Sequence, residues 1–114
     1  MAILKIDSPP SKKELKTLTK EFPEYIKLVA DIENKILYGG SRLHADIEKI
    51  LINSGSLQKN VWGRGVDLIF KKIECSAVAN IRPGLNPSTE ILDPAIREKF
   101  INIVKKYFPE YIYG

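Results

Sequence analysis

Hydrophobic and polar residues alternate along much of this chain, and the alternation divides it into short elements. Residues 2–6 alternate weakly and predict a short strand, which Ser8-Pro9-Pro10 ends. Ser11 stands three residues before Glu14, which is the spacing of a capping box. Apolar residues at helical spacing follow, so we predict a first helix that ends at Pro23.

Segments 25–38 and 43–52 each fit two periods. As strands they present one apolar and one charged face, and as helices they present an apolar stripe. If Gly39-Gly40 forms a two-residue turn, apolar residues of the two strands oppose one another, Ile36 with Leu43 for example. The strand interpretation is therefore favoured, and a helical hairpin is the alternative.

The second half of the chain has clearer signals. Residues 61–70 predict a strand, and residues 73–82 alternate most regularly of all. A loop rich in Pro, Gly, Asn and Ser follows over 83–92, and Asp93-Pro94 then predicts the start of a last helix. Phe22-Pro23-Glu24-Tyr25-Ile26 recurs as residues 108–112 after that helix, which we interpret as convergent helix-ending chemistry.

Together these elements predict an α+β fold in the order β-α-β-β-β-β-α. The sheet is an antiparallel four- to five-stranded meander, and both helices flank one of its faces. A chain of 114 residues is long enough for one hydrophobic core, so residues 1–114 are expected to form a single domain.

Composition narrows the cellular context. No apolar run approaches the roughly 20 residues that a membrane helix needs, and the first residues lack the apolar stretch of a signal peptide. The single Cys75 excludes an intramolecular disulfide and fits a reducing compartment. We therefore expect a cytoplasmic protein with no membrane partner.

The net charge of +4 permits a polyanionic partner without requiring one. Lysines that share a helix face are usually a solvated surface, so a nucleic-acid partner is not favoured on charge alone. A homo-oligomer is compatible with the sequence.

The hairpin register would gather charged groups on the polar face of the sheet. Lys35 would oppose His44, and two pairs of carboxylates would oppose each other. The set comprises four carboxylates and the only histidine: Asp31, Glu33, His44, Asp46 and Glu48. Because like charges opposed across a ladder destabilise a sheet, something must compensate them.

Three interpretations of this set stay open. Its oxygen and imidazole groups could hold a divalent cation such as Mn²⁺, Mg²⁺ or Zn²⁺. Alternatively, His44, Asp46 and Glu48 could carry out general acid–base catalysis. In the third interpretation, neighbouring Lys and Arg side chains neutralise a solvated surface.

Other polar residues suit an anionic or planar ligand. Arg82 closes the last predicted strand beside the long loop, where it could hold a phosphate or carboxylate, and Asn80 shares its face. Trp62 and Arg64 could stack on a planar ligand, although a lone Trp more often lies in the core. Gly63 and Gly65 indicate a bulge or a close backbone approach.

Several of these segments resemble one known family. They include Gly39-Gly40, Leu43-His44-Ala45-Asp46 with Glu48, Trp62-Gly63 and Asn80-Ile81-Arg82-Pro83. Up to Tyr107 the chain is similar to small prokaryotic proteins catalogued only as a domain of unknown function. Residues 64–67 and the C-terminal tail depart from that family's pattern. The resemblance implies no activity.

Two classes of function remain. The first is a small hydrolase or nuclease-like domain that uses His44 with Asp46 or Glu48 for proton transfer and Arg82 for an anionic group. The second is a non-enzymatic interaction or structural module, with a homodimer as one form. A bound metal, phosphate or cleft near His44 would separate them.

Overall fold

A computed structural model describes residues 3–20, 22–40, 43–74, 80, 86 and 90–113 of the chain. Within these residues the chain forms six strands, three helices and one 3₁₀ turn at Gln58–Asn60. None of the described helices combines the length and the apolar character required to span a bilayer. In chain order the elements are β1 (Ile3–Ile6), α1 (Lys12–Leu18), β2 (Tyr25–Asp31), β3 (Ile36–Gly40), α2 (His44–Asn53), β4 (Val61–Asp67), β5 (Lys72–Glu74), α3 (Pro94–Tyr107) and β6 (Ile112–Tyr113).

The strands form one sheet in the order β1-β3-β2-β4-β5-β6. The first five strands in this order form four antiparallel pairs, and β6 joins β5 in parallel. At the centre, β2 and β4 pair along their whole length, from Tyr25 opposite Asp67 to Asp31 opposite Val61. The predicted α+β class and antiparallel sheet are therefore confirmed.

The larger part of the core lies between the sheet and the helices α1 and α3. Ile26 and Leu28 of β2 pack there with Leu18 of α1 and with Phe100 and Val104 of α3. Each of these five side chains is at most 3% exposed. The prediction that the first and last helices cover the same face is thus correct.

The opposite face of the sheet is covered by α2. Ile47 and Leu51, one helical turn apart, pack against Val29 of β2 and Val61 of β4. All four side chains are fully buried. Strand alternation explains this layer, because Val29 faces away from its neighbours Leu28 and Ala30.

The predicted caps of the first and last helices are confirmed. The Ser11 hydroxyl accepts a hydrogen bond from the Glu14 amide at 3.1 Å, and the Glu14 carboxylate accepts one from the Ser11 amide at 3.0 Å. Asp93 accepts a hydrogen bond from the Ala95 amide at 2.8 Å, with Pro94 at the first helical position. These side chains satisfy backbone donors that have no partner within the helix.

The prediction of a strand over 43–52 is wrong, because His44–Asn53 is a helix. The residues predicted to share one strand face have different environments in this helix, because Ile47 and Leu51 are buried whereas Leu43 is 59% exposed. A third helix is needed because the second face of the sheet carries apolar side chains that must be covered. The helical alternative therefore holds for this segment and fails for 25–38, which forms β2, a turn and β3.

The predicted turn at Gly39-Gly40 is wrong as well, since both residues belong to β3. Gly39 pairs with Leu28 on one side and Leu4 on the other. A side chain there would come within 2.9 Å of the Ile6 Cδ1 atom. Gly39 is therefore required for close packing in the sheet, and the cross-strand pairs predicted from a glycine turn do not form.

Two turns of the sheet have the same hydrogen-bonding pattern, which the sequence analysis above did not predict. Asp31 Oδ1 accepts hydrogen bonds from the backbone amides two and three residues later, both at 3.0 Å. Asp67 Oδ1 does the same at 2.8 and 3.0 Å. In each turn the fourth residue after the Asp is a lysine with positive φ, 57° at Lys35 and 52° at Lys71. The signal was present as Asp-x-x-x-Lys, since Asp favours such turns.

The repeated Phe-Pro-Glu-Tyr-Ile segment forms the same local structure twice. The Tyr25 amide donates to the Phe22 carbonyl at 3.3 Å, and the Tyr111 amide donates to the Phe108 carbonyl at 3.1 Å. In each case a helix precedes the turn and a strand follows, β2 or β6. The interpretation as a helix-ending segment holds for the second copy, because α3 ends at Tyr107 with Phe108 as its cap. It is wrong for the first copy, because α1 ends at Leu18 and not at the predicted Pro23.

Asp31 also attaches the end of α2 to the sheet. Its Oδ2 atom accepts a hydrogen bond from the Ser56 hydroxyl at 2.7 Å and another from the Asn34 amide group at 2.8 Å. Gly55, with φ of 107°, ends α2, and the Ser56 amide donates to the Leu51 carbonyl at 3.0 Å. Burial raises the pKa of Asp31, but the hydrogen bonds to its carboxylate outweigh burial and hold that pKa below its ordinary value.

We predict that Asp31→Asn destabilises the fold at neutral pH by about 1–3 kcal/mol, because an amide cannot accept all these hydrogen bonds. The ionised carboxylate stabilises the parent protein above the unfolded-state pKa of about 3.9, and this stabilisation is lost as pH falls towards the lower folded-state pKa. The variant should lack that part of the acid dependence. Urea denaturation across this pH range measures both effects.

The matched control is Asp67→Asn, which changes the same turn position where the side chain is only half-buried. It should cost less stability than Asp31→Asn. Equal losses in the two variants would contradict a special role for the buried carboxylate.

Candidate functional site at the N-terminus of α2

Two glycines of β4 leave a strip of the sheet without side chains. In the register of β2 with β4, Gly63 lies opposite Val29 and Gly65 lies opposite Lys27. Strand alternation places Gly63 and Gly65 on the face that α2 covers. The backbone of β4 is therefore accessible to side chains from α2 and from the start of β2.

Tyr25 occupies the space beside Gly65. A Cβ atom built on Gly65 would overlap the Tyr25 hydroxyl and ring carbons. Gly65 is thus required for the ring of Tyr25 to lie against the strand. The expectation that these glycines mark a close approach to the backbone is correct at Gly65.

His44, the first residue of α2, reaches the backbone between the two glycines. Its Nε2 atom lies 2.6 Å from the Arg64 carbonyl oxygen. A carbonyl only accepts hydrogen bonds, so Nε2 carries the proton and donates it. In the neutral ring the other nitrogen, Nδ1, then holds a lone pair.

The surroundings of His44 favour its neutral form. Burial lowers the pKa of His44, the hydrogen bond to the Arg64 carbonyl raises it, and the positive charge of Lys27 lowers it further, with a net decrease. Burial also lowers the pKa of Lys27 itself. The Lys27 ammonium lies 4.0 Å from the centre of the Phe22 ring, a distance that permits a cation–π contact.

A second polar network holds the same stretch of β4 from the side. The Asn80 side chain accepts a hydrogen bond from the Gly63 amide and donates one to the Gly63 carbonyl, both at 2.7 Å. Asn86 donates to the carbonyls of Asn80 at 2.9 Å and Glu90 at 2.8 Å, and accepts from the Leu92 amide. Both asparagines are buried; Asn80 is bonded to β4 at Gly63, and Asn86 connects Asn80 to residues 90 and 92.

Comparison with known protein families identifies the family to which this chain belongs. A family model described as a protein of unknown function, DUF5674, matches residues 4–107. The chain belongs to this family. No significant match was found among curated proteins or among solved structures.

Two of the predicted ligand-binding residues of this DUF5674 domain lie in the core. Trp62 is 1% exposed, and its indole nitrogen donates to the Lys59 carbonyl at 3.2 Å. Arg64 is fully buried, with its guanidinium carbon 5.7 Å from the centre of the Phe100 ring. Both side chains project towards α3, on the other side of the sheet from His44, so neither presents a surface on which a ligand could stack.

The five predicted metal ligands are not brought together. Asp31 is occupied by the β2–β3 turn, and the Glu33 carboxylate lies 3.1 Å from the Lys99 ammonium. Within the described part of the DUF5674 domain, no group of three or more His, Cys, Asp or Glu side chains is arranged to hold a metal ion. The predicted set depended on a hairpin register that does not exist.

The predicted catalytic residues have different placements. His44 and Glu48 are one turn apart on α2 and share a helix face. Asp46 lies in the first turn, where a negative charge stabilises the helix dipole. Arg82 lies outside the described residues. The roles of these four residues stay predictions.

Sequence reasoning missed Tyr25, Lys27 and Asn86 as members of this site. The Gly-x-Gly pattern of β4 signalled a close approach, but only the packing of the Tyr25 ring against Gly65 identifies the side chain involved. In the sequence, Asn86 is only one of the polar residues of the loop predicted over 83–92. Its buried hydrogen bonds could not be inferred from local pattern.

We predict that the pKa of His44 in the folded protein lies below its unfolded value of about 6.5. Its contribution to stability is then present above pH 6.5 and is lost as pH falls through the folded-state pKa, because the unfolded chain binds the proton first. NMR titration of the imidazole measures this directly, since the chain contains a single histidine.

The matched variant is His44→Gln, whose amide can still donate to the Arg64 carbonyl but does not titrate. Its free energy of unfolding should lack the decrease that the parent shows in mildly acidic solution. An imidazole that titrates at or above its unfolded value would show that burial does not control His44.

Proposed function

We propose that this domain binds an anionic ligand beside His44, either a phosphate ester or an ester that also carries a free carboxylate, and hydrolyses its ester bond with His44 as the general base. The observation that carries the proposal is the 2.6 Å contact between His44 Nε2 and the Arg64 carbonyl oxygen. This contact assigns the proton to Nε2 and orients the ring.

A general base must be unprotonated at the working pH. The lowered pKa of His44 satisfies this requirement at neutral pH, because burial and Lys27 both disfavour the imidazolium. Nδ1 then accepts a proton from a water molecule while the oxygen of that water attacks the phosphorus or the carbonyl carbon of the ester. The bond to the ester oxygen breaks, and the leaving group departs with the electron pair.

Two groups supply positive potential for an anion at this position. The positive charge of Lys27 lowers the pKa of His44 and would attract an anion at the same position. The N-terminus of α2, where His44 lies, carries the positive end of the helix dipole. A phosphate or carboxylate beside His44 would interact favourably with both.

Asp46, Glu48 and Arg82 have supporting roles in this proposal, and that of Asp46 is to stabilise the first turn of α2 with its charge. Glu48 shares the His44 face of α2 and could receive or return a proton. Arg82 is proposed to hold the anionic group of the ligand. We place the activity in the cytoplasm, which fits the single cysteine.

The test uses p-nitrophenyl acetate and bis(p-nitrophenyl) phosphate as probes with the full chain. We predict that His44→Gln lowers the hydrolysis rate of at least one probe by about 10²-fold or more. The parent rate should rise with pH through the His44 pKa and then level off. Lys27→Met should weaken binding of the phosphate probe, whereas Lys72→Met, an exposed lysine on β5, should not.

Two results would contradict the proposal. One is equal hydrolysis by the parent and His44→Gln. The other is an imidazole resonance that neither acetate nor inorganic phosphate perturbs, together with no hydrolysis of either probe.

A second function, association with another copy of the chain, is favoured by exposed apolar residues at one end of the sheet. Ile69 and Phe70 lie on the β4–β5 turn and are 60% and 72% exposed. Ile112 on β6 is 67% exposed and pairs with Lys72, just after that turn. Apolar side chains grouped in this way are typical of an interaction surface.

We predict that sedimentation analysis of the parent shows a dimer and that Phe70→Ser shifts it to monomer. Leu57→Ser changes an equally apolar side chain, 57% exposed, on a different part of the surface and is the control. A parent that sediments as a monomer at every concentration would remove this function.

A further inference from the structure

A cleft on the side of the sheet away from α2 has the properties of a ligand site. It lies between the β2–β3 turn and one face of α3 and has a volume of about 480 Å³. Cavities that bind small molecules fall in this size range. The cleft lies on the α1 and α3 face, whereas His44 contacts β4 from the opposite face.

The cleft has an apolar base. Ile32 and Ile103 line it and are only 5% and 7% exposed. Tyr107, one turn beyond Ile103 on α3, also lines the cleft and adds an aromatic side chain. A ligand here could bury an apolar or planar group.

The rim of the cleft is positively charged. Lys35 comes from the turn, and Lys99 and Lys106 come from α3, two turns apart on one helix face. Glu33 is the single carboxylate among the lining residues, and its Oε1 atom lies 3.1 Å from the Lys99 ammonium. The lining therefore carries an excess of two positive charges.

Lys35 has a backbone conformation that lysine rarely adopts. Its φ of 57° lies in the left-handed region, where Gly, Asn or Asp are the usual residues. The turn itself would form more easily with glycine at this position. Lys71 has the same conformation in the matching turn outside the cleft, so the turn accepts a lysine, and what distinguishes Lys35 is that its side chain lines the cleft.

We propose that this cleft binds a small phosphate monoester that carries a planar or apolar ring. The phosphate would be held by the separate ammonium groups of Lys35, Lys99 and Lys106, and the ring would lie on Ile103 and Tyr107. Lysines act as point charges towards phosphate, which suits a group whose charge is shared by three oxygens. The site is independent of the ester-hydrolysing site proposed at His44.

The test is a calorimetric and NMR titration of the full chain with adenosine 5′-monophosphate, inorganic phosphate and adenosine. It is carried out in the His44→Gln background, so that the His44 site does not contribute through its imidazole. The monophosphate should bind more tightly than either of its parts and should shift the resonances of Ile103 and Tyr107. Equal binding by adenosine, or shifts confined to the N-terminus of α2, would overturn the proposal.

Four variants identify the groups responsible. Lys106→Gln should weaken binding of the monophosphate about tenfold, as expected for loss of one charge-assisted hydrogen bond. Lys35→Gly should weaken binding similarly while leaving the thermal midpoint unchanged or higher. Lys71→Gly makes the same backbone change in the matching turn outside the cleft, so it should leave the affinity unchanged.

The fourth variant, Glu33→Gln, should strengthen binding by about two- to fivefold, because the phosphate no longer competes with a carboxylate for Lys99. A gain in affinity cannot result from partial unfolding. If Lys35→Gly and Lys106→Gln both bind the monophosphate as tightly as their parent, the proposal is wrong.

Discussion

The buried carboxylate of Asp31 is the group on which the centre of this fold depends. A carboxylate that is removed from water is costly unless hydrogen bonds replace the lost solvation. Here two backbone amides of the following turn, the Asn34 side chain and the Ser56 hydroxyl provide them. The same group thus closes the β2–β3 turn and attaches the C-terminal end of α2.

The other end of α2 is attached by His44. Its contact with the Arg64 carbonyl lies near the middle of β4, and the Ser56 contact lies at the end of β2. Two polar contacts therefore fix the direction of a helix whose apolar contacts, through Ile47 and Leu51, are not directional. This arrangement requires glycine beside Arg64, because a side chain at Gly65 would displace Tyr25.

Local signals predicted the parts of the fold that depend on local chemistry. Three such features were predicted from residues close in sequence, and all are present: the capping box at Ser11, the start of α3 at Asp93-Pro94 and the buried stripe of α3. Segment 43–52 could not be resolved in the same way, because a ten-residue amphipathic segment fits a helix and a strand almost equally well. What decides it is the uncovered second face of the sheet, which is a property of the whole fold.

The candidate site likewise combines a residue that the sequence identifies with partners that only the fold supplies. His44 is identifiable as the only histidine, but the groups that act on it, the Arg64 carbonyl of β4 and the charge of Lys27 on β2, depend on the fold. The predicted neighbours Asp31 and Glu33 are used elsewhere, in the turn and in the ion pair with Lys99. Because the predicted hairpin register was wrong, the predicted partners of His44 were wrong as well. His44 itself is identified by being the only histidine, which does not depend on the register.

The β2–β3 turn connects the two faces of the sheet. Through Asp31 it holds α2, and through Ile32, Glu33 and Lys35 it forms one wall of the cleft beside α3. Because the left-handed conformation of Lys35 follows directly from the turn that Asp31 closes, the lysine in the cleft and the helix on the opposite face share one support. A change at Asp31 should therefore affect both faces, whereas changes at Gly65 or Lys106 should each remain confined to one.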